Sequence, residues 1–290
     1  MSKIKILFFL MLISVTINAQ LTDLARLEYS FIPKTKSEDR YTRIKAAFNY
    51  PIQIKKDNYF LVGLEYNRLF IELEDQYPFD PSLLNKATIL DLNFVYTYKI
   101  NKKWRTAFKV TPRISSTLSK KITGDDLFLN GAIFFIKNRT NDDEVTKPYR
   151  LILGLTYNTT TGIPFPLPFI NYNRKVNEKW SYTLGVPKMN LKYNINKKNS
   201  LQSFAGLDGY FANLQEPILI NNKQANSISL SVLVAGLGYE HQFTKHLFLY
   251  TYSGFTFRLN NVLRDSNRDN LLTLDNLNAF YLRTGIKFKI

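Results

Sequence analysis

Apolar and polar residues alternate with a period of two along most of the chain. Leu27, Tyr29 and Phe31 alternate with Arg26, Glu28 and Ser30, and Ile44, Ala46, Phe48 and Tyr50 with Arg43, Lys45 and Asn49. Leu90, Leu92, Phe94, Tyr96 and Tyr98 do the same against Asp91, Asn93, Thr97 and Lys99. Trp104, Thr106, Phe108 and Val110 repeat the pattern against Arg105 and Lys109. Successive side chains of a strand point to opposite faces, so each segment predicts a strand with one apolar and one polar face. Residues 128–137 and 227–241 alternate poorly, and the pattern assigns them no face.

A soluble sandwich would alternate too; the connections discriminate. A short polar turn recurs at Lys55-Lys56-Asp57-Asn58, Asn101-Lys102-Lys103, Asn177-Glu178-Lys179, Asn196-Lys197-Lys198-Asn199 and Phe243-Thr244-Lys245, with a longer variant over residues 138–147. Between them lie longer, more varied connections at residues 74–86, 119–126, 215–226 and 261–276. Short turns at one end and long loops at the other mark an outer-membrane barrel, with periplasmic turns and extracellular loops. Six short turns separate seven hairpins, which predicts an all-β, closed antiparallel transmembrane barrel of about fourteen strands (twelve as the alternative), with both termini periplasmic. In lipid every backbone polar group needs an internal partner, so strands can span only as a closed barrel.

The first residues fix the compartment. Lys3 and Lys5 precede an apolar run over residues 6–13, and Ala19 supplies the small residue before a cleavage point. This is the layout of a secretory signal over residues 1–19, leaving a barrel over residues 20–290 in the cell outer membrane. The run is too short for a helical span, which takes roughly 20 apolar residues. With no cysteine, disulfides, thiol chemistry and a lipid-acceptor Cys are excluded. Once the signal leaves, 37 basic face 23 acidic residues, a net +14. An exported protein is no partner for nucleic acid; outer-membrane lipid, lipopolysaccharide, anionic solutes and a polar lumen account for the charge. Trp104, Tyr149, Tyr157 and Trp180 stand at strand ends, where amphipathic rings favour the headgroup level.

At the C-terminus Phe280, Leu282, Thr284, Ile286, Phe288 and Ile290 form one face of a final strand, and Tyr281, Arg283, Gly285, Lys287 and Lys289 the other. A terminal alternating strand of this kind resembles the signal by which barrel-assembly machinery recognises its clients. Over its whole length the chain resembles the Gram-negative outer-membrane β-barrel superfamily. More narrowly, Leu167-Pro168-Phe169 through Tyr172, and Trp180 with Leu184-Gly185-Val186-Pro187, resemble a family of uncharacterised barrels of about this length. That resemblance brings no activity with it.

No catalytic motif stands out. His241 and His246 flank one short turn, without a serine at the spacing that barrel phospholipases use. Asp265-Ser266-Asn267-Arg268-Asp269-Asn270 begins like a calcium loop, but Asn270 replaces the usual glycine, Asn276 stands where a bidentate Glu belongs, and Arg268 brings in a positive charge. Neither an enzyme, a cofactor nor a metal is expected, and the acidic run Asp142-Asp143-Glu144 reads as a solvated turn. The expected lumen-facing basic residues are Arg26, Arg43, Lys45, Arg105, Lys109, Lys192, Arg258 and Arg283, with Lys99, Arg150 and Lys287 besides, against Glu28, Glu65, Asp91 and Asp208. Basic rings along a pore favour anions, so the first expectation is a channel for small solutes with a weak anion preference. A second comes from residues 163–195: three prolines lie within residues 163–168, and Gly185-Val186-Pro187-Lys188 breaks residues 180–195 into arms too short to span. This predicts a low notch in the wall and a lateral exit for apolar molecules. A third is a structural or adhesive barrel that binds a partner through its loops.

Overall fold

The computed structural model describes residues 23–34, 37–140, 145–158, 165–275 and 277–289. The signal segment, the acidic run at residues 142–144 and residues 163–164 of the proline stretch lie outside them. The period-two segments become strands β1 (Ala25–Ile32), β2 (Arg40–Lys55), β3 (Asn58–Glu72), β4 (Lys86–Lys99), β5 (Trp104–Ser116), β6 (Leu127–Asn138), β7 (Tyr149–Asn158) and β8 (Phe165–Lys175). They continue as β9 (Trp180–Val186), β10 (Lys188–Asn194), β11 (Asn199–Ile220), β12 (Lys223–Gln242), β13 (Leu247–Arg264), β14 (Asn270–Thr273) and β15 (Phe280–Phe288). Neighbours in sequence pair antiparallel from β1 to β13, and β15 pairs with both β13 and β1. Fourteen strands therefore close a barrel; the short β14 only extends β13. Large apolar residues such as Leu27, Phe48, Leu64, Phe108, Leu129, Leu155, Leu191, Leu237, Phe255 and Ile286 are exposed around the whole wall. A soluble monomer rarely carries so large an exposed apolar surface.

Four of the recurring short turns share one mechanism, while the turn at residues 55–58 places Asp57 at φ 70°. Asn101 Oδ1 accepts from the amides of Lys103 and Trp104 at 2.9 and 3.0 Å. Asn177 does the same for Lys179 and Trp180, and Asn196 for Lys198 and Asn199. Thr244 Oγ1 takes that place before Leu247, at 3.0 Å. Such a side chain caps the turn in place of a backbone carbonyl. Trp104, Tyr149 and Trp180 begin strands at this end, and the Tyr149, Tyr172 and Tyr182 rings follow one another along the wall. Tyr157 instead lies near the far end of β7.

Two expected long loops are strands. Residues 215–226 are the tip of the β11–β12 hairpin, turned by Asn221 and Asn222 at φ 48° and 63°. Two successive positive φ values are what a two-residue hairpin turn needs, and asparagine tolerates them. Within residues 261–276, β13 runs on to Arg264 and folds back as β14.

At the loop end the wall is uneven. The β6–β7 pairing stops at Gly131 opposite Tyr157, and the β8–β9 pairing at Ile170 opposite Val186. The β9–β10 hairpin turns at Pro187, confirming two short arms rather than one long strand. β11 continues past its last β10 partner at Gly206 and meets β5, a parallel neighbour, at Asn213 opposite Ser116. Among the described residues nine strands thus close a narrower ring at the loop end, while β6 to β10 end lower.

Candidate functional site

At mid-height the lumen is a belt of ion pairs contributed by the polar faces of the strands. Arg43 donates two bonds to Asp208, at 2.9 and 2.6 Å. Lys45 pairs with Glu65 at 2.7 Å, and Arg26 lies 3.8 Å from both Glu65 and Asp23. Arg113 pairs with Asp91 at 2.6 Å, Lys192 with Glu240 at 3.0 Å, and Arg283 lies 3.9 Å from Glu28. Lys287 also reaches Glu240. Nearer the turns, Arg105 donates to the Asp57 carbonyl and Thr97, while Lys99 pairs with Asp57. Three of the expected basic residues stand apart. Arg150, the second residue of β7, forms no ion pair with the belt among the described residues. Arg258 is sealed near the loop end, its side chain 1 % exposed, against Asp275 at 3.3 Å and over the Tyr41 ring. Lys109 faces a cavity and, among the described residues, has neither a hydrogen-bond nor an ion-pair partner.

Above the belt the nine-strand ring is filled by apolar side chains, among them Leu69, Ile71, Leu84, Ile218, Ile228, Leu230, Val232 and Leu263. This answers why residues 227–241 alternate poorly: the inward face of β12 is apolar here because it meets a packed core. The polar lumen expected from the alternating strands gives way to an apolar core at the loop end. Loops tie the lid down. Asp39 accepts from the amides of Glu74 and Asp75 and from the Tyr77 hydroxyl, which in turn accepts from the Asp275 amide. Burial pushes the Asp39 carboxyl up, against the opposing pull of those three donors.

The seam between β5 and β11 is built from side chains that sequence reasoning did not single out. Ser115 Oγ donates to the Phe211 carbonyl, and the Thr117 amide to Asn213 O at 3.0 Å. The fully buried Asp126 accepts from Asn213 Nδ2 at 2.8 Å, Gln215 Nε2 at 2.6 Å and the Thr123 amide at 2.8 Å. Phe128 meets Phe211 edge to face at 5.2 Å. A sequence signal existed for Asp126: Thr123 three residues before an acid is the spacing of a capping box, and both bonds of the box form.

Because β11 leaves the wall to reach β5, residues 208–212 have no ladder partner on the β10 side among the described residues. Across the gap, residues 165–169 of β8 pair, among the described residues, only with β7. Pro166 and Pro168 lie on that edge, where a residue without N–H is tolerated. The tip of the β9–β10 hairpin forms the sill. Gly185 holds φ 143° there, and a Cβ on it would stand 1.8 Å from the Ile170 carbonyl oxygen, so only glycine fits. A cavity of about 630 Å³ runs from Arg43, Lys45 and Lys109 in the belt to Leu167, Pro168, Pro187 and Leu207 at this gap.

The remaining candidates do not converge. His241 Nδ1 contacts Asn199 Oδ1 at 2.7 Å, and His246 Nδ1 the Lys289 carbonyl at 2.8 Å. The Asp265 carboxylate accepts from the Asp269 amide at 2.9 Å, closing a tight turn. Among the described residues no group of three or more acids or histidines is placed to hold a metal.

A family model described as "Domain of unknown function (DUF6268)" matches residues 16–289. No curated protein matches the chain. Among solved structures the chain is similar to the COG4313 outer membrane channel from Pseudomonas putida F1, at 11 % identity over 91 % of this chain and 94 % of that one, with a TM-score of 0.44. It is also similar to the NanC porin, at 11 % identity over 92 % of this chain and 100 % of that one, TM-score 0.41. A third is the Pseudomonas putida toluene transporter TodX, at 12 % identity over 96 % and 92 %, TM-score 0.36.

Proposed function

We propose that this chain, which belongs to the family described as "Domain of unknown function (DUF6268)", is an outer-membrane channel for small, mainly apolar solutes that leave sideways through the barrel wall. The observation that carries the reading is the cavity between the ion belt and the gap over the β9–β10 hairpin, beneath a loop end filled with apolar side chains. A solute entering among the loops meets packed side chains above and an unpaired stretch of wall beside it. Desolvating it into lipid through that stretch is favourable at about 25 cal/mol per Å² of apolar surface. A straight aqueous pore would need the apolar core removed. The weak anion preference remains in the charge of the cavity, where Arg43, Lys45, Lys109 and Arg113 face Glu65, Asp91 and Asp208.

In this reading outer-membrane lipid and lipopolysaccharide surround the apolar belt, β15 is the strand offered to the barrel-assembly machinery, and the turn end is periplasmic. Trypsin added to intact cells is then expected to cut at the exposed Lys120 and Lys121, between β5 and β6, and to spare Lys102 and Lys103 between β4 and β5. Cleavage at the latter pair would reverse the orientation.

The gap itself is tested by bridging it. The chain has no cysteine, so Leu167→Cys with Leu207→Cys places a unique thiol on each edge. Closing the pair with a short bifunctional maleimide should cut the entry of N-phenyl-1-naphthylamine into intact cells at least fivefold, with either single variant unaffected. Undiminished entry through the bridged barrel, or steady open-pore conductance of the wild type in planar bilayers, would sink the reading.

A further inference from the structure

The cavity has two unlike walls. On β2 to β5 it is ionic, and there each neighbour of Lys109 is neutralised by direct contact: Lys45 by Glu65, Arg113 by Asp91, Arg43 by Asp208. Lys109 is not. Asp91, Glu65, Arg113 and Lys45 act on it through space, two of each sign, so its ammonium faces the cavity without a counter-ion of its own. A half-buried ammonium without a partner is a costly thing to keep in a barrel wall.

The second wall begins on the next strand. Lys109 is directly opposite Ala132 of β6, and Phe134 follows on the same face. The Phe134 ring meets the Phe169 ring of β8 edge to face at 5.1 Å. Between them, on β7, stands Gly154, paired with both phenylalanines; a Cβ there would come within 2.6 Å of the Phe134 ring. The glycine lets two rings from non-adjacent strands close over the backbone into one apolar plate. Leu167 continues that plate to the gap.

A point charge at one end and an aromatic plate leading to a lipid-side opening at the other is the chemistry of an amphipathic anion's binding site. We propose that Lys109 anchors the anionic head of a small amphipathic carboxylate whose ring or chain lies along Phe134, Phe169 and Leu167. The volume of about 630 Å³ lies within the roughly 300–1,000 Å³ of sites for small organic molecules. The proposal deepens the channel reading and rests on it for the route, but the site's occupancy at equilibrium does not depend on which way the solute leaves.

Purified barrel in lipid nanodiscs, with empty nanodiscs subtracted, should bind 2-naphthoate at least ten times more tightly than 2-naphthol at pH 7. Lys109→Met should remove that preference, weakening naphthoate tenfold or more while leaving naphthol within twofold, and Lys109→Arg should retain it. Heat-modifiable migration of each variant verifies folding, and no existing ion pair is broken by either substitution. Equal binding of the two probes by the wild type, or naphthoate binding unchanged in Lys109→Met, would overturn the anchor. Naphthoate bound through Lys109 by a barrel whose bridged gap still admits dye would leave the anchor standing and remove the lateral exit; loss of the anchor with a functional gap would do the reverse.

Discussion

Deleting residues 288–290 should leave no folded barrel in the outer membrane. β15 is the closing strand: it pairs with β1 from Ala25 opposite Phe288 to Phe31 opposite Leu282, and with β13 from Leu247 opposite Phe288 to Phe255 opposite Phe280. The deletion removes the last pair of both seams at once. It also removes the Phe288 carbonyl that accepts from the Leu24 amide at 2.8 Å and the Lys289 amide that donates to His246 O at 2.8 Å. Unpaired strand edges are tolerated in water but cost several kcal/mol for each group left without a partner in lipid. The strand also loses Phe288 from its lipid-facing side, where the ring lies 5.6 Å from that of His246. The assay is the heat-modifiable band of outer-membrane fractions, which should vanish, with the chain degraded. Phe288→Ala, which keeps the backbone ladder, should retain most of it. A truncated chain that folds at normal levels would show that eight residues of β15 suffice to close the barrel.

The parts of this fold that were legible in the sequence are those set by neighbours in the chain. Side chains two apart share a face, and an Asn four residues before the next strand's second residue can cap its turn, so alternation and turns could be read directly. Gly185-Val186-Pro187 announced its hairpin the same way. Residues 215–226 read as a loop because Asn221-Asn222 is polar, although asparagine is also the residue that permits a two-residue turn. Residues 227–241 resisted because periodicity reports a difference between faces, and β12 buries Ile228, Leu230, Val232 and Val234 against a core inside the barrel. The site was legible only as charge. Arg43 and Asp208 are 165 residues apart, and nothing local says that they meet or that Lys109 does not meet an acid. The gap was visible as a short hairpin, but its cause, the departure of β11 toward β5, depends on contacts between strands that are distant in sequence.

Loosening that β5–β11 seam should unseat the loop end of the barrel, and Asp126 is the residue through which to do it. Asp126→Ala leaves Asn213 Nδ2, Gln215 Nε2 and the Thr123 amide without their acceptor. Asn213 and Gln215 are half-buried, Thr123 is exposed and Gln215 Nε2 keeps the Lys121 carbonyl, so each loss costs less than the about 1–3 kcal/mol of a fully buried donor. The temperature at which the folded band converts to the unfolded one should fall clearly, and intermittent ionic current should appear in planar bilayers where the wild type is quiet. Asp126→Asn keeps one acceptor oxygen and should lie between the two. The charge dependence has a definite sign. Burial opposes ionisation of Asp126, but the bonds from Ser116, Asn213, Thr123 and Gln215 outweigh it and hold the carboxyl below the ordinary carboxylate range. A depressed pKa in the folded state stabilises at every pH above the unfolded value, near 3.9, and that contribution is lost as pH falls through the depressed value. The advantage of wild type over Asp126→Asn should therefore be constant from neutral pH down to about pH 5 and shrink only below the ordinary carboxylate range. An advantage already lost between pH 7 and pH 5, or an Asp126→Ala barrel as heat-stable and as silent as the wild type, would show that the seam is held by something other than this carboxylate.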